Sequence, residues 1–414
     1  MGNIGDGHPD HDDLHVDGDR LWRTLHQLAE IGATPAGGVA RVALTDDDRA
    51  GRDQFVEWAT ELGCSIHLDR IGNLFARYDG TDPARKPVVI GSHLDSQPTG
   101  GKFDGAYGVM VGLEILRVLH DRDLRTAAPI EVVSWTNEEG ARFPPAMLGS
   151  GVFGGAISLE AGLSSRAADG TALGEELQRI GYSGSELPGS RPIGFYLEPH
   201  IEQGPILEAG GDVIGVVTGV QGIRWYDVTI AGKESHAGTT PMERRSDAMV
   251  SAARLVAAVD DIGRARDQGR STVGVLTSTP ASRNTVAGSV TMTVDLRHPD
   301  PEELARMDSE MRKVAAALDP QPSIDQIWYS PPITFDPDIS AALRTAADRS
   351  GHHPVDITSG AGHDACYISG VAPTGMVFIP CEDGLSHNEA EAISADHAIA
   401  GAEVTLHAVL RLAT

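Results

Sequence analysis

Four short apolar segments, each followed closely by a cluster of polar residues, constrain the fold of this chain more than any other feature of its sequence. These segments have the length and composition of buried strands, and they are residues 87–90, 130–135, 195–197 and 376–379. A helix is predicted over residues 107–120, between the first two strands. Strands that alternate with helices form α/β domains, whose ligands bind at the carboxyl ends of the strands. We therefore expect the polar clusters to lie together at one edge of a mixed central sheet flanked by helices.

A different pattern begins near residue 215 and continues to residue 329. Residues 225–230 alternate between apolar and polar side chains, as in a strand with one exposed face. The predicted order is strand, helix, strand, strand, helix and strand, at residues 225–230, 246–259, 272–276, 290–297, 301–317 and 324–329. This order is the ferredoxin-like plan, so we expect an inserted α+β lid domain.

The chain has 414 residues, which is too many for one ordinary hydrophobic core and indicates two domains. Residues 1–19 are rich in Asp, His and Gly and predict a disordered acidic tail. The histidines of this tail, which are able to bind stray metal, are His8, His11 and His15. The rest divides into an α/β domain and an inserted lid, at residues 20–214 with 330–414 and at residues 215–329.

The composition excludes several classes of function. The formal net charge of −26 argues against nucleic-acid binding, which depends on basic patches. No apolar run reaches the length of about 18 residues that a membrane span needs. The amino-terminal residues lack the basic start and apolar run of a secretory signal, and the three cysteines are too widely spaced to indicate a disulfide framework or a cysteine zinc site. A reduced, cytoplasmic setting is therefore expected.

His93 and Asp95 follow the first strand, and Asp104 lies in a glycine-rich run further along. A metal-binding imidazole usually needs a second group that fixes its tautomer, so His93 and Asp95 predict a ligand and the carboxylate that orients it. Asp104 is suited to bridging two cations a few ångströms apart. Taken singly, these residues are also explained as a loop histidine and helix-capping aspartates.

Glu138 and Glu139 follow the second strand. Two adjacent carboxylates at a strand end are not both buried without a partner, because a buried charge must be paired. One carboxylate that binds a metal and another that carries a proton would satisfy this condition. The alternative is an acidic turn exposed to solvent.

His200 and His387 follow the last two strands of the set. A single histidine in such a position is more often a surface or core residue than a ligand. Four clusters at four strand ends instead predict one site, with three histidines and two carboxylates as ligands. Mixed nitrogen and oxygen ligands favour zinc, manganese, cobalt or nickel over magnesium or calcium.

The predicted lid contains a second polar set, formed by His236, Asn284 and Arg297. His236 lies among small and turn-forming residues at a strand end. An arginine fork together with an amide side chain is suited to binding a substrate carboxylate. For Arg297 the alternative is a surface ion pair.

Together, these sequence motifs resemble the M20 metallopeptidase-like superfamily. The motifs are GSHLDSQPTGGKFDGAYGV (91–109), TNEEGARF (136–143), HIEQGP (200–205), HAGTTPM (236–242), SRNTVAGSV (282–290) with DLRHPD (295–300), SGAGHDA (359–365) and GLSHNEAE (384–391). They extend through almost the whole chain beyond the acidic tail. HIEQGP with HAGTTPM resembles more narrowly the hydantoinase/carbamoylase branch, which comprises N-carbamoyl-L-amino acid amidohydrolases, bacterial-type β-ureidopropionases and allantoate amidohydrolases.

The resemblance implies a zinc-exopeptidase-like fold for the larger domain and a role for each residue singled out above. Two divalent metal ions would be bound by five residues, and Asp104 would bridge the two ions. The five ligands would be His93, Asp104, Glu139, His200 and His387. Glu138 would be the general base, and Asp95 would orient His93. The pocket would be lined by Gln203, Gly360 and Gly362.

The resemblance also implies how the lid contributes. His236 would reach the active site of a neighbouring subunit and stabilise the oxyanion, while Asn284 and Arg297 would bind the substrate carboxylate. The implied molecule is a homodimer formed through the lid. Its implied substrate is a small ureido compound with a carboxylate.

The expected reaction removes the carbamoyl group from an N-carbamoyl-L-amino acid or N-carbamoyl-β-alanine and yields the amino acid, carbon dioxide and ammonia. An allantoate amidohydrolase would use the same ligands and the same arginine. An aminopeptidase or dipeptidase of the wider superfamily is a further alternative, against which HIEQGP and the Arg297–Asn284 pair argue. A non-catalytic binding protein with a structural metal is an alternative from another class, and the intact Glu138 argues against it.

Overall fold

The structure is a computed structural model, and it describes residues 13–414. The α-helices within these residues are α1 (Gly18–Ala29), α2 (Asp46–Glu61), α3 (Ala106–Asp121), α4 (Leu148–Phe153), α5 (Leu159–Ser164), α6 (Leu173–Ile180), α7 (Ile206–Gly210), α8 (Ala248–Arg264), α9 (Pro301–Ala316), α10 (Pro337–Arg349), α11 (Ala365–Ile368) and α12 (Ala395–Leu412). None of these helices has both the length and the apolar character needed to cross a membrane.

The strands of the same part of the chain contain between two and ten residues. They are β1 (Ser65–Leu68), β2 (Leu74–Tyr78), β3 (Val88–His93), β4 (Ile130–Trp135), β5 (Phe195–Ile201), β6 (Gly215–Val220), β7 (Gly222–Ala231), β8 (Ser235–His236), β9 (Arg270–Thr272), β10 (Leu276–Thr279), β11 (Thr285–Val286), β12 (Ser289–His298), β13 (Pro322–Ser330), β14 (Ile333–Thr334), β15 (Val355–Ser359) and β16 (Thr374–Ile379).

These elements form two compact units. The first contains the described residues up to Thr218 together with Phe335–Thr414, and the second contains Gly219–Thr334. The sequence placed the start of the inserted unit at residue 215 and its end at residue 329, four and five residues earlier than observed. The chain passes between the units through β6 and β14, which pair with each other in antiparallel fashion.

The prediction of a disordered tail is wrong for its last residues, which are ordered, and its first twelve residues lie outside the described part of the chain. Leu14 and Val16 are buried, and the Asp17 side chain caps α1 by accepting a hydrogen bond from the first turn of the helix. Apolar burial and a capped helix start both favour an ordered chain here. His8 and His11, which were named as potential ligands, lie outside the described residues.

The central sheet is mixed and flanked by helices, as predicted. Its strand order is β1-β2-β4-β3-β5-β16-β6-β14, and β15 pairs with β6. The four strands predicted from the apolar segments are adjacent, as β4-β3-β5-β16, and run parallel. They are buried along nearly their whole length, which explains their apolar sequences. Because they are parallel, their carboxyl ends meet at one edge of the sheet.

Helix α3 packs against β3, β4 and β5 and is buried on nearly all sides. Gly112 permits this close approach, since a Cβ atom there would lie 2.8 Å from the Val132 side chain. The buried charge of Glu114 is paired with the Arg20 guanidinium, whose nitrogens donate hydrogen bonds to it at 2.7 and 2.8 Å. Helices α1 and α12 cover α3 in turn. Because α3 is packed tightly on both sides, the loop before it, which carries Asp104, is held in place.

The second unit has one antiparallel sheet with the order β10-β12-β7-β13, and β9 also pairs with β12. Side chains alternate along β7, so that Tyr226, Val228 and Ile230 are buried in a core with residues of α8 and α9. Along the chain, the strands and helices of this sheet and its core follow the order β7, α8, β9, β10, β12, α9 and β13. Strands β8 and β11 form a separate two-stranded ladder.

The strand predicted at residues 272–276 is two strands. β9 pairs with residues 295–297 of β12, whereas β10 pairs with residues 289–292. Between them, the Thr293 hydroxyl accepts a hydrogen bond from the main-chain N–H of Val275 at 3.2 Å, in place of a carbonyl of the ladder. Gly274, which has no side chain to pack, lies at the same interruption.

Candidate metal centre

The parallel strands bring the predicted ligands of the first unit together. His93 is the last residue of β3, His200 lies near the end of β5, and Glu139 follows β4. Asp104 lies just before α3, and His387 lies in the loop after β16. These five residues form two groups of three, which share Asp104, and within each group the potential ligand atoms lie within 4.8 Å of one another.

The first group consists of His93, Asp104 and His200, all of which are buried. The Nε2 atom of His93 lies 3.6 Å from Asp104 Oδ1, and the Nε2 atom of His200 lies 3.3 Å from the same oxygen. Two ligands of a tetrahedral zinc ion, each about 2.0–2.1 Å from it, are about 3.3 Å apart. The observed separations therefore suit ligands that share one cation.

The rings of His93 and His200 are oriented by main-chain carbonyls. The Nδ1 atom of His93 lies 2.8 Å from the carbonyl oxygen of Asp95, and the Nδ1 atom of His200 lies 2.9 Å from that of Ile201. A carbonyl only accepts hydrogen bonds, so Nδ1 carries the proton of each neutral ring and Nε2 presents a lone pair. Both Nε2 atoms lie near Asp104 Oδ1, and that of His200 also accepts a hydrogen bond from the main-chain N–H of Gly105 at 3.2 Å. A cation between the two rings and the carboxylate would stabilise this arrangement.

The second group consists of Asp104, Glu139 and His387. The Nε2 atom of His387 lies 3.3 Å from Glu139 Oε2 and 3.7 Å from Asp104 Oδ2. Asp104 thus presents Oδ1 to the first group and Oδ2 to the second, as a bridging carboxylate does. Gln97 supports the second group by donating a hydrogen bond to Glu139 Oε2 at 2.8 Å.

The electrostatics of the cluster also fit bound cations. Burial lowers the pKa of the His93 and His200 rings, but the surrounding carboxylates outweigh this effect and raise both pKa values. Burial raises the pKa of Glu139 to about 7, and the charge of Asp104 adds to the rise. The cluster therefore contains more negative charge than its histidines neutralise, and divalent cations would relieve the repulsion.

Glu138 belongs to neither group of potential ligands among the described residues. Its Oε2 atom lies 3.4 Å from His93 Nε2, and it lines a cleft of about 470 Å³ together with Glu139 and His387. Burial raises the pKa of Glu138 well above its usual range, although the charge of His93 opposes the rise. A buried carboxylate that borders both the cleft and the ligand groups is suited to accepting a proton and releasing it again.

The contact between Asp95 and His93 differs from the prediction. The Asp95 side chain was expected to orient His93, but the ring is held by the main-chain carbonyl of Asp95. The Asp95 carboxylate accepts hydrogen bonds from the main-chain N–H groups of Glu138 at 3.2 Å and Glu139 at 3.3 Å. It therefore fixes the turn after β4, which carries both glutamates.

Glu391 was not singled out from the sequence, although it lies in the GLSHNEAE motif. It is buried, and its Oε1 atom accepts hydrogen bonds from the main-chain N–H groups of Phe103 at 2.9 Å and Asp104 at 3.0 Å. Burial raises the pKa of Glu391 to about 8, and the charge of Asp104 adds to the rise. Gly101 leaves room for this carboxyl group, since a Cβ atom at that position would lie 2.0 Å from it. Glu391 therefore holds the loop that places Asp104.

Glu198 and His363 were also missed. The Glu198 carboxylate accepts hydrogen bonds from the Ser92 hydroxyl and from the first main-chain N–H of α11, both at 2.8 Å. The centroids of the His363 and His200 rings are 4.7 Å apart, and the Nε2 atom of His363 lies 2.9 Å from the Ser359 hydroxyl. An ionisable residue inside a buried strand was the available signal for Glu198, and the SGAGHDA motif contains His363.

The residues predicted to line the substrate pocket are Gln203, Gly360 and Gly362. Gln203 and Gly362 line the cleft, whereas Gly360 is not among the described lining residues and Ala361 is. The Nε2 atom of Gln203 donates a hydrogen bond to Asp104 Oδ2 at 2.7 Å. The Oε1 atom of Gln203 is buried without a hydrogen-bond partner, so it is available to a polar group of a ligand.

In the second unit, the β8–β11 ladder brings His236 and Asn284 together. His236 pairs with Thr285, and the main-chain carbonyl of Asn284 accepts a hydrogen bond at 2.9 Å from the residue after His236. The Nδ1 atom of His236 lies 3.0 and 3.2 Å from the main-chain nitrogens of Gly238 and Thr239. A main-chain N–H only donates, so the neutral His236 ring carries its proton on Nε2.

Arg297 lies at the end of β12 that is far from the β8–β11 ladder. The strand begins at Ser289, next to the β8–β11 ladder, and Arg297 is eight residues further along, or about 26 Å at 3.3 Å per residue. There the Arg297 guanidinium forms an ion pair with Asp295, with 2.7 Å between Nη2 and Oδ2. Within one copy of this unit, the structure does not bring Arg297 together with His236 and Asn284.

Known proteins resemble this chain over nearly its whole length. The profile of the peptidase family M20/M25/M40 matches residues 89–411. The N-carbamoyl-L-amino-acid amidohydrolase of Rhizobium meliloti is 47% identical over 403 residues, which cover 96% of this chain and 97% of that protein. The allantoate amidohydrolase of Escherichia coli K12 is 32% identical over 381 residues, which cover 90% of this chain and 92% of that protein.

A solved structure extends the likeness to the whole fold. The crystal structure of an amidase of the hydantoinase/carbamoylase family from Burkholderia multivorans is 54% identical and has a TM-score of 0.93. The alignment covers 97% of this chain and 98% of that one. The resemblance read from the motifs is therefore confirmed, and the chain belongs to the M20/M25/M40 peptidase family, in its hydantoinase/carbamoylase branch.

Proposed function

We propose that this chain is a two-metal amidohydrolase that converts N-carbamoyl-L-amino acids, or N-carbamoyl-β-alanine, to the amino acid, carbon dioxide and ammonia. The observation that carries the proposal is the pair of ligand groups that share Asp104, with Glu138 beside them in the cleft. The substrate class is taken from the name of the Rhizobium meliloti protein, which is 47% identical.

Zinc, manganese, cobalt or nickel ions held by the five candidate ligands would polarise the carbamoyl carbonyl and lower the pKa of the attacking water. Glu138 accepts a proton from this water as the water attacks the carbamoyl carbon. The bond between that carbon and the amino-acid nitrogen then breaks, and Glu138 returns the proton to the leaving nitrogen. The other product is a carbamate, which decomposes to carbon dioxide and ammonia.

His236 is proposed to donate a hydrogen bond to the carbamoyl oxygen as negative charge develops on it. Its protonated Nε2 supports this role, because Nδ1 is occupied as an acceptor of main-chain hydrogen bonds. The described residues that line the cleft include no Lys or Arg, so a substrate carboxylate requires a cation from elsewhere. Arg297, together with Asn284, is proposed to bind it, which requires Arg297 to exchange Asp295 for the substrate.

A homodimer is part of this proposal. His236 and Arg297 lie near opposite ends of β12, so one lid cannot place both on the same small substrate, whereas the lids of two subunits can. Large apolar side chains are exposed on both edge strands of the second unit, at Leu276, Ile327 and Trp328. Such residues offer a surface that a second copy would cover.

A reduced, cytoplasmic setting is proposed with this function. Cys64, Cys366 and Cys381 are all free, and two of the three are buried. Unpaired cysteines are usual in proteins of a reducing compartment.

The test is ammonia release by the manganese- or cobalt-loaded protein from several N-carbamoyl-L-amino acids, one D-enantiomer, N-carbamoyl-β-alanine and allantoate. A dipeptide is included and scored for free amino acid. We expect the highest kcat/KM for a carbamoyl amino acid of the L series or for N-carbamoyl-β-alanine. Preference for allantoate would assign the enzyme to the other named activity of its relatives, and hydrolysis of the dipeptide alone would overturn the proposal.

A further inference from the structure

A further group of potential metal ligands lies in the first unit, outside the candidate metal centre. It consists of His15, from the segment before α1, and of Glu403 and His407 on α12. Glu403 and His407 are four residues apart, so both project from the same face of the helix. The potential ligand atoms of the three side chains lie within 4.8 Å of one another.

The distances within this group suit ligands of one cation. The Nδ1 atom of His15 lies 3.4 Å from Glu403 Oε1, and the Nε2 atom of His407 lies 3.7 Å from Glu403 Oε2. The two imidazole rings are approximately perpendicular, with 6.3 Å between their centroids. The Oε2 atom of Glu403 is buried and has no hydrogen-bond partner among the described residues. A cation would satisfy this oxygen, which is otherwise costly to bury.

The segment that carries His15 is held in place before any ion binds. Leu14 and Val16, on either side of His15, are buried. The main-chain N–H of Val16 donates a hydrogen bond to Glu403 Oε1 at 3.0 Å, and that of Asp17 donates one to Glu114 Oε1 at 3.0 Å. The main chain at His15 is therefore fixed beside Glu403, so ordering of this segment would cost little conformational entropy when a metal binds.

A cleft of about 460 Å³ gives an ion access to this group. Its lining includes all three side chains and also Arg349, His352 and Asp396. Two carboxylates, those of Asp396 and Glu403, thus stand against one guanidinium in the lining. The net charge of −26 favours the approach of cations to the protein as a whole.

We propose that His15, Glu403 and His407 form a separate binding site for one divalent transition-metal ion, which ties the amino-terminal segment to α12. Two imidazoles and one carboxylate are a ligand set that Zn²⁺ accepts, with a fourth position open to water from the cleft. The ion has a structural role, since Glu138 and the candidate ligands of the metal centre are not part of this group.

The test is the number of Zn²⁺ ions bound per chain, measured by metal analysis after the full-length protein has been stripped with chelator, reloaded and desalted. His15→Ala and His407→Ala should each bind one ion fewer than the unmodified protein. His352→Ala, which alters the same cleft without removing a ligand, should bind the unmodified number. The difference between variants does not depend on the number of ions in the metal centre or on the substrate, so failure of the proposed function would leave this test intact.

A second measurement distinguishes loss of this site from a general loss of metal binding in a variant. Hydrogen exchange at the main-chain amides of residues 14–17 should slow at least about tenfold when Zn²⁺ is added to the unmodified protein, and should be unchanged by Zn²⁺ in His15→Ala. Equal metal content in all four proteins, or an equal effect of Zn²⁺ on exchange with and without His15, would overturn the proposal.

Discussion

The two halves of the candidate metal centre share Asp104 but are held by different kinds of structure. In the first half, the His93 and His200 rings are 2% and 1% exposed, they extend from adjacent parallel strands, and main-chain carbonyls fix them. In the second half, the His387 side chain is 52% exposed and lies in a loop. The first half is therefore part of the buried sheet edge, whereas the second depends on a surface segment.

This difference predicts unequal binding of the two ions. Loops open locally at a lower free energy than buried strands, because they contribute fewer buried contacts. Opening of the loop after β16 would release His387 from Glu139 and leave His93 and His200 in place. The ion of the second half should therefore leave first when a chelator is added, and the ion of the first half should leave slowly.

Replacing Glu138 should give the largest loss of activity, because it removes the proposed base. The substitution also separates proton transfer from metal binding. Glu138→Gln keeps the size of the side chain and removes the base, so kcat should fall about 10²–10⁴-fold while both ions remain bound. Glu139→Gln is the matched variant, since it alters the neighbouring carboxylate, which belongs to the second half. It should lose metal as well as turnover. Ammonia release and metal analysis on the same samples distinguish the two results, and a Glu138→Gln enzyme of nearly normal kcat would exclude Glu138 as the base.

Removing one histidine from each half should sharpen the contrast between them. His387→Ala should retain one ion that resists chelator, because the first half keeps all three of its side chains. His200→Ala should retain no such ion, and its affinity for metal should fall at least about 100-fold, since ligand loss costs no less than loss of a supporting contact. The measurement is the time course of metal release to a coloured chelator. Identical time courses for the two variants would mean that the halves are equally stable.

Several features of the centre could be predicted because they depend on local pattern and on one rule of topology. The segments that became β3, β4, β5 and β16 are apolar because both of their faces are covered. Parallel neighbours place their carboxyl ends at the same edge, so His93, Glu139 and His200 meet although they are far apart in sequence.

Other features could not be predicted, because they depend on contacts that no local pattern encodes. Glu391 supports Asp104 across 287 positions of the chain. The Asp95 prediction failed in detail because main-chain carbonyls compete with side chains for a histidine Nδ1, and sequence spacing does not show which of them points at the ring. His15 was assigned to a disordered tail because its own segment is polar, whereas its order comes from packing of Leu14 and Val16.

Replacing Glu391 should have the smallest effect of these substitutions. It tests whether Asp104, which bridges the two halves, is positioned by a residue outside both of them. Glu391→Ala leaves the main-chain N–H groups of Phe103 and Asp104 without their acceptor, so the loop should loosen and affinity for both ions should fall about 10–100-fold. Glu391→Gln keeps one acceptor oxygen and should recover most of this loss. Glu382→Gln, at an exposed position of the same segment, is the control and should bind metal normally. If Glu391→Ala weakens only one of the two ions, then Asp104 is not held as a common bridge, and the two halves are independent sites that happen to be adjacent.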